Sequence, residues 1–195
     1  VGDNATRGMT MNSGSKEAIL AAARRSAQTH GYKRLNFREL AAEVGIKAAS
    51  IYYYFPSKAD LGAAVMRRYW EDTSAELEAI WADSSDPLMC LRRYPEIFRR
   101  SLDDGNRLCL GSFMSAEQQD LPDTVKHEVQ TVADVNVDWQ DRTIVAINDV
   151  FPNSTGRARA IFAAVSGAQL LARSRADITV FDEIIENYRE VGLLK

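Results

Sequence analysis

Apolar residues recur at spacings of three and four along almost the whole chain, and no stretch alternates apolar and polar positions over the length of a strand. That period belongs to amphipathic helices, so the expected fold class is all-α. Proline and glycine are sparse, and the helix ends that they mark therefore stand out.

With 195 residues, 46% hydrophobic and 26% charged, the chain can bury a sizeable core as one large domain or as a small module joined to a larger one. The longest uncharged apolar stretch, residues 160–172, has only 13 residues and includes Ser166 and Gln169. A membrane helix needs about 20. The first residues, VGDNATRGMTMNSG, lack the apolar run of a secretory signal and begin without methionine. They read as a processed, flexible arm over 1–14, and the chain reads as cytoplasmic.

Cys90 and Cys109 have no second Cys or His at metal-ligand spacing and read as buried free thiols. His30 and His127 read as surface or capping residues, so neither a metal nor a cofactor is expected.

Charge is divided unevenly. Residues 1–58 carry nine Lys/Arg and four Asp/Glu, a balance of +5, which leaves 15 basic and 23 acidic groups, or -8, for the remainder of a chain whose net charge is -3. A basic head on an acidic body is the asymmetry expected when only the head meets phosphates.

The head reads as three helices. The first starts at Ser15 as N-cap, presents Ile19, Ala22, Ala23 and Ala27 on one stripe, and stops at Gly31. The next stretch is NFRELAAEVGIKAASIYYYF, residues 36–55. Asn36 with Glu39 three residues on makes a capping-box-like start, Phe37, Leu40, Ala41 and Val44 form a buried stripe, and Gly45 suits a left-handed stop. A second short helix follows Ile46. Two short helices around a glycine turn make a helix-turn-helix.

Three adjacent tyrosines on that second helix cannot share one core, because successive helical residues point about 100° apart. With Ile51 as reference, Phe55 and Lys47 lie about 40° away and Tyr54 about 60° away, while Tyr53 is about 160° away beside Ala49. Ile51 and Phe55 should pack inward, Tyr54 should lean inward, Tyr52 should sit on the rim and Tyr53 should point out. Ala49 permits close approach to a DNA groove, Ser50 can bond phosphate or base, and tyrosine can bond phosphate or touch a thymine methyl. Pro56 breaks the helix. Ser57 caps the next one, whose first residue, Lys58, stands where a helix start can clamp phosphate.

Residues 18–61, AILAAARRSAQTHGYKRLNFRELAAEVGIKAASIYYYFPSKADL, resemble the N-terminal DNA-binding domain of the TetR family of bacterial transcriptional regulators. The resemblance combines Gly31-Tyr32, Leu40-Ala41, Val44-Gly45-Ile46, Tyr52 to Phe55 and Lys58-Ala59-Asp60-Leu61 in register. It implies DNA contact by Arg38, Lys47, Ala48, Ala49, Ser50, Tyr52, Tyr53, Tyr54 and Lys58. Asn36 replaces a frequent threonine, Ala48-Ala49 precede Ser50, and Tyr54 replaces a frequent histidine. The resemblance divides the chain into the arm, a helix-turn-helix domain over 15–57 and a helical ligand-binding and dimerisation domain over 58–195.

The body should contain a long helix over 58–82, another starting at Asp86-Pro87 and kinked at Pro95, and a break near Asp104-Gly105. A short helix within RLCLGSFMSAEQQ should end before Pro122, then helices over 122–148, 154–174 and 177–192, with Phe151-Pro152-Asn153 as a break. The segment LCLGSFMSAE is similar to a stretch beside the ligand pocket in part of the family. Met66, Tyr69, Trp70, Phe98, Phe113, Met114 and Trp139 are the expected lining, with Arg99 or Glu117 as orienting charges and an apolar or aromatic effector. Ile161, Val165, Ala168 and Leu171, with Phe181, Ile184, Ile185 and Tyr188, give more apolar face than one small body needs. The resemblance implies that these last two helices seal a two-fold dimer.

A ligand-responsive regulator, most often a repressor in this family, is the expected function: a homodimer reading a pseudo-palindromic DNA site and released by a small molecule. A helical enzyme or small-molecule carrier with an incidental basic head is the alternative. Against it, the sequence has no phosphate-binding glycine loop, nucleophile elbow or metal constellation. A nucleoid protein binding by charge alone would show weak sequence preference and a steep salt slope.

Overall fold

The computed structural model of the protein describes residues 3–147 and 153–195, with side chains from Gly14 onward. Ten α-helices stand among the described residues: α1 Asp3–His30, α2 Phe37–Val44, α3 Ala48–Tyr54, α4 Lys58–Asp83, α5 Pro87–Arg93, α6 Glu96–Asp103, α7 Leu110–Ser115, α8 Asp123–Ala146, α9 Ser154–Arg175 and α10 Thr179–Glu190. Single 3-10 turns occupy Tyr32–Arg34 and Gln118–Asp120.

The helix starts follow local chemistry. The Asn36 side chain accepts hydrogen bonds from the backbone N–H of Arg38 and Glu39, at 2.9 and 3.4 Å, which opens α2. Gly45, with φ 75° and ψ 32°, closes it in the left-handed conformation, and the Ile46 N–H returns to the Ala41 carbonyl. At α4 the Ser57 hydroxyl accepts from Asp60 N and donates to the Asp60 carboxylate, at 3.1 and 2.7 Å. Tyr94 and Pro95 form the turn that separates α5 from α6, where the kink is expected, and both keep right-handed helical dihedrals. Proline has no N–H to continue the ladder.

One end departs from expectation. α1 begins at Asp3 rather than after Ser15, so the described part of the expected arm is helical. Gly8 and Gly14 each cost only about 1 kcal/mol against alanine, too little to force a stop. The expected break at Phe151-Pro152-Asn153 lies partly outside the described residues, although the Asn153 side chain accepts from Gly156 N and caps α9.

Helices α1, α2 and α3 pack together as the head, and α1 also lies on α4 and touches α7. In the body α4 runs along α8, α8 along α9, and α9 along α10, while α5 and α7 pack on α8 and α6 on α9. The core is continuous from Ile19, Leu40 and Ile51 in the head through Leu61, Leu77 and Tyr94 to Ile144, Val165 and Phe181. Cys90 and Cys109 are buried free thiols within it, and His30 and His127 are exposed.

The α4–α8 seam contains a buried carboxylate. Glu128 accepts two hydrogen bonds from the Arg67 guanidinium and one from Trp70 Nε1 at 2.8 Å. Burial pushes the Glu128 carboxyl up, but the bonds from Arg67 and Trp70 outweigh it and hold the group below the usual carboxylate range. A depressed folded value means that this stabilisation is complete above the unfolded value of about 4.3 and fades as pH falls through the folded one. Glu128→Gln should therefore cost on the order of 1–2 kcal/mol in urea unfolding at pH 7, and the difference from the parent should shrink below pH 4. An equal cost at pH 7 and pH 3 would show that shape, not charge, matters there.

Candidate nucleic-acid interface

Helix α3 presents the face that its sequence dictates. Ile51 and Phe55 are buried, Tyr54 is half-buried against the core, and Tyr52 and Tyr53 are 56% and 75% exposed. The Tyr52 ring lies 4.7 Å from Phe37, so its direction is fixed from α2, and the Tyr53 and Tyr54 rings meet edge to face at 5.2 Å. Ala49 is exposed beside Tyr53, while Ala48 and Ser50 are half-buried. A groove lined by Leu35, Asn36, Phe37, Arg38, Ala48, Tyr52 and Lys58 runs between α2 and α3, with Arg38 exposed on its α2 side.

Lys47 departs from the wheel. It is the N-cap of α3, in extended conformation and exposed, so helical angles do not apply to it and it does not lean toward the core. Lys58 is already engaged: its ammonium donates to the Lys33 carbonyl at 2.7 Å and stands 4.9 Å from the centre of the Tyr32 ring. Burial lowers the Lys58 pKa, and the charge of Glu117 opposes that shift.

Glu117 does not orient anything inside the body. Its Oε2 accepts a 2.6 Å hydrogen bond from the backbone N–H of Tyr32 in the head. Gly31 makes this approach possible: its φ is 81°, and a Cβ there would stand 2.6 Å from the same carboxylate. Beside it, Lys33 pairs with Asp120 at 2.8 Å, which raises the Lys33 pKa. The turn after α7 thus holds the turn before α2. No spacing in the sequence announces this contact, because its two ends are 85 positions apart.

The expected ligand lining does not gather at one void. Tyr69 and Phe98 border a small internal cavity with Thr73, Ile97, Ser101, Cys109 and Asn136. Trp139 borders a separate surface groove with Leu77 and Arg142. Met66 and Met114 are buried in the core, Trp70 is tied to Glu128, and Phe113 lies under the Arg173 guanidinium at 5.2 Å. Arg99 faces outward to Asp103 and Asp182 at 2.7 and 2.8 Å. Periodicity shows which residues turn inward, not which of them border empty space.

The expected dimer seam also divides. Ile161, Val165, Ala168, Phe181 and Ile185 are buried within the single chain, where they pack α9 and α10 onto the body. Ile184 and Tyr188 are half-buried, and only Leu171 is exposed. The open apolar face of α9 is Ala160, Ala163, Gly167, Leu170 and Leu171, with Leu170 and Leu171 at 58% and 44% exposure.

Residues 19–65 match the family model described as bacterial regulatory proteins, tetR family. Across the whole fold, the chain superposes on a TetR transcriptional regulator from Legionella pneumophila with a TM-score of 0.85 and 29% identity, covering 90% of this chain and 96% of that one. The head carries the N-terminal module of the TetR family, and the whole chain shares its fold with TetR-family regulators. Two curated relatives match part of the chain. The nucleoid occlusion factor SlmA of Photobacterium profundum is 31% identical over 77 residues, 40% of this chain and 39% of that protein. The HTH-type transcriptional regulator RutR of Escherichia coli K12 is 33% identical over 82 residues, 42% of this chain and 38% of that protein. Both matches thus span well under half of the relative's length.

Proposed function

We propose that the protein is a cytoplasmic, ligand-responsive transcriptional regulator that binds operator DNA as a two-fold dimer and acts as a repressor. The exposed Ala49, Tyr52 and Tyr53 on α3, flanked by Arg38, Lys47 and Ser50, support this reading most directly. Tyr53 projects furthest and suits the groove, whereas Arg38, Lys47 and Lys58 suit phosphates. Lys58 reaches DNA by exchanging the Lys33 carbonyl for a phosphate oxygen. Two such heads, about one DNA turn apart, read a pseudo-palindrome.

The contacts of Glu117 and Asp120 with the head are the means by which the body acts on the operator. An effector that moves α7 pulls on Tyr32 and Lys33, and so on the segment that carries α2 and α3. A ligand favouring one head spacing shifts the balance between DNA-competent and DNA-incompetent states.

Genomic DNA selection with the purified protein, followed by anisotropy of the best fragment over a salt series, tests the reading. A pseudo-palindromic fragment bound at least 100-fold more tightly than bulk DNA is the expected result. Uniform, salt-steep binding to every fragment would reduce the head to a charge patch. Lys58→Ala should weaken all sequences alike and make the salt slope shallower by about one, whereas Tyr53→Ala should act mainly on sequence preference. A uniform loss from Tyr53→Ala would mean that it touches only the backbone.

A further inference from the structure

A cleft of about 440 Å³ opens where the head meets the body, between α1, α4 and α6. That volume suits a small molecule. Arg24 and Arg25 from α1, Arg100 from α6 and Arg107 from the loop after it line the cleft, and among the described residues Glu76 and Asp104 are its carboxylates. The wall is therefore net positive by two, the excess being Arg24 and Arg25 of the basic head. Asp72 and Glu43, which pair with Arg24 and Arg25 at 2.8 and 2.7 Å, stand outside the wall.

Among the described residues, each of these four arginines commits one terminal nitrogen to its carboxylate: Arg24 to Asp72, Arg25 to Glu43, Arg100 to Glu76 and Arg107 to Asp104. A guanidinium has five N–H donors in a planar fork, so donors remain for another oxyanion. The inner end is different. Tyr69, Thr73, Ile97 and Ser101 line both the cleft and the internal cavity that continues toward Phe98 and Cys109. Tyr69 is held in place by the Arg24 guanidinium, 4.7 Å from its ring centre. A charged mouth thus leads to a floor in which the Tyr69 ring and Ile97 supply apolar surface beside the hydroxyls of Thr73 and Ser101.

We infer that this cleft binds a small amphipathic anion, its carboxylate or phosphate held by Arg24, Arg100 and Arg107 and its apolar part laid on Tyr69 and Ile97. The inference deepens the regulator reading and rests on it only for the consequence at DNA. Arg24 and Arg25 belong to the first helix of the head, and Arg25 ties α1 to α2 through Glu43. An anion that recruits these side chains links α6 directly to the head.

The test needs no DNA. The anionic dye 8-anilinonaphthalene-1-sulfonate and its neutral counterpart N-phenyl-1-naphthylamine are titrated into the full chain and followed by fluorescence. One sulfonate per protomer is expected, with affinity about tenfold weaker in Arg100→Gln/Arg107→Gln and again in Arg24→Gln, while the neutral dye is unaffected. Competition by benzoate and by phenyl phosphate then tells which head group is preferred, and stronger displacement by either supports the site. A change below twofold in both variants overturns the inference. So does equal weakening of both dyes, because it would report a damaged fold or an apolar patch. Sulfonate binding that depends on these arginines, in a protein that selects no operator, would leave the site standing and remove the regulator reading.

Discussion

Gly31→Ala is expected to lower the melting temperature by roughly 6–20 °C, far more than any other added methyl group in the head. Two costs combine. With φ 81° and ψ 175°, Gly31 occupies a backbone region that is essentially closed to other residues, at about 1–3 kcal/mol. The new Cβ would also stand 2.6 Å from Glu117 and displace the carboxylate that accepts from Tyr32 N, a charged hydrogen bond worth about 1.5–3 kcal/mol. Gly45→Ala is the control, because its φ is also positive but nothing lies within 4 Å of the added atom. It should cost about 1–2 kcal/mol. A double-mutant cycle with Glu117→Ala, at fixed protein concentration, separates the terms. Removing the carboxylate relieves the clash, so Gly31→Ala/Glu117→Ala should cost less than the sum of the single changes by at least 1 kcal/mol. Strict additivity would mean that Gly31 is needed for backbone conformation alone.

Leu170→Asp/Leu171→Asp should turn a dimer into monomers in sedimentation and reduce operator affinity by more than 100-fold, the order gained when two modules bind together. The two leucines are exposed in the single chain, and Ala160, Ala163 and Ser174 lie within about 60° of Gly167 on the same face of α9. No atom beyond the glycine's own surroundings lies within 4 Å of a Cβ built at Gly167, so a second helix can come close there. Ile184 and Tyr188, half-buried on α10, can extend the contact. Since the leucines are exposed, the monomer's own stability should change by no more than about 0.5 kcal/mol each. A variant that stays dimeric and binds operator normally would move the seam elsewhere. A variant that is monomeric yet binds the operator normally would instead separate recognition from pairing.

The head was legible in the sequence because its decisions are local. One short helix fixes where Ile51, Tyr53 and Phe55 point, and Asn36 and Gly45 are matched to their places by cap chemistry and backbone conformation. Which face of α9 stays open was not legible, because α9 is apolar on two sides. Ile161, Val165 and Ala168 repeat on one, Ala160, Ala163, Gly167 and Leu170 on the other, and the period alone does not say which faces the chain's own core. The contact of Glu117 with the head and the four arginines of the cleft were missed for a different reason. A charge in the sequence has no visible partner until the fold brings together positions such as Tyr32 and Glu117.

Glu117 grips the head by its main chain. The bond goes to the Tyr32 N–H, which every residue but proline possesses, and the one side-chain requirement is that Gly31 have none. The exposed face of α3 can therefore change its tyrosines without severing this bond to the body. A chimera that keeps a glycine followed by any N–H at this turn can keep this bond.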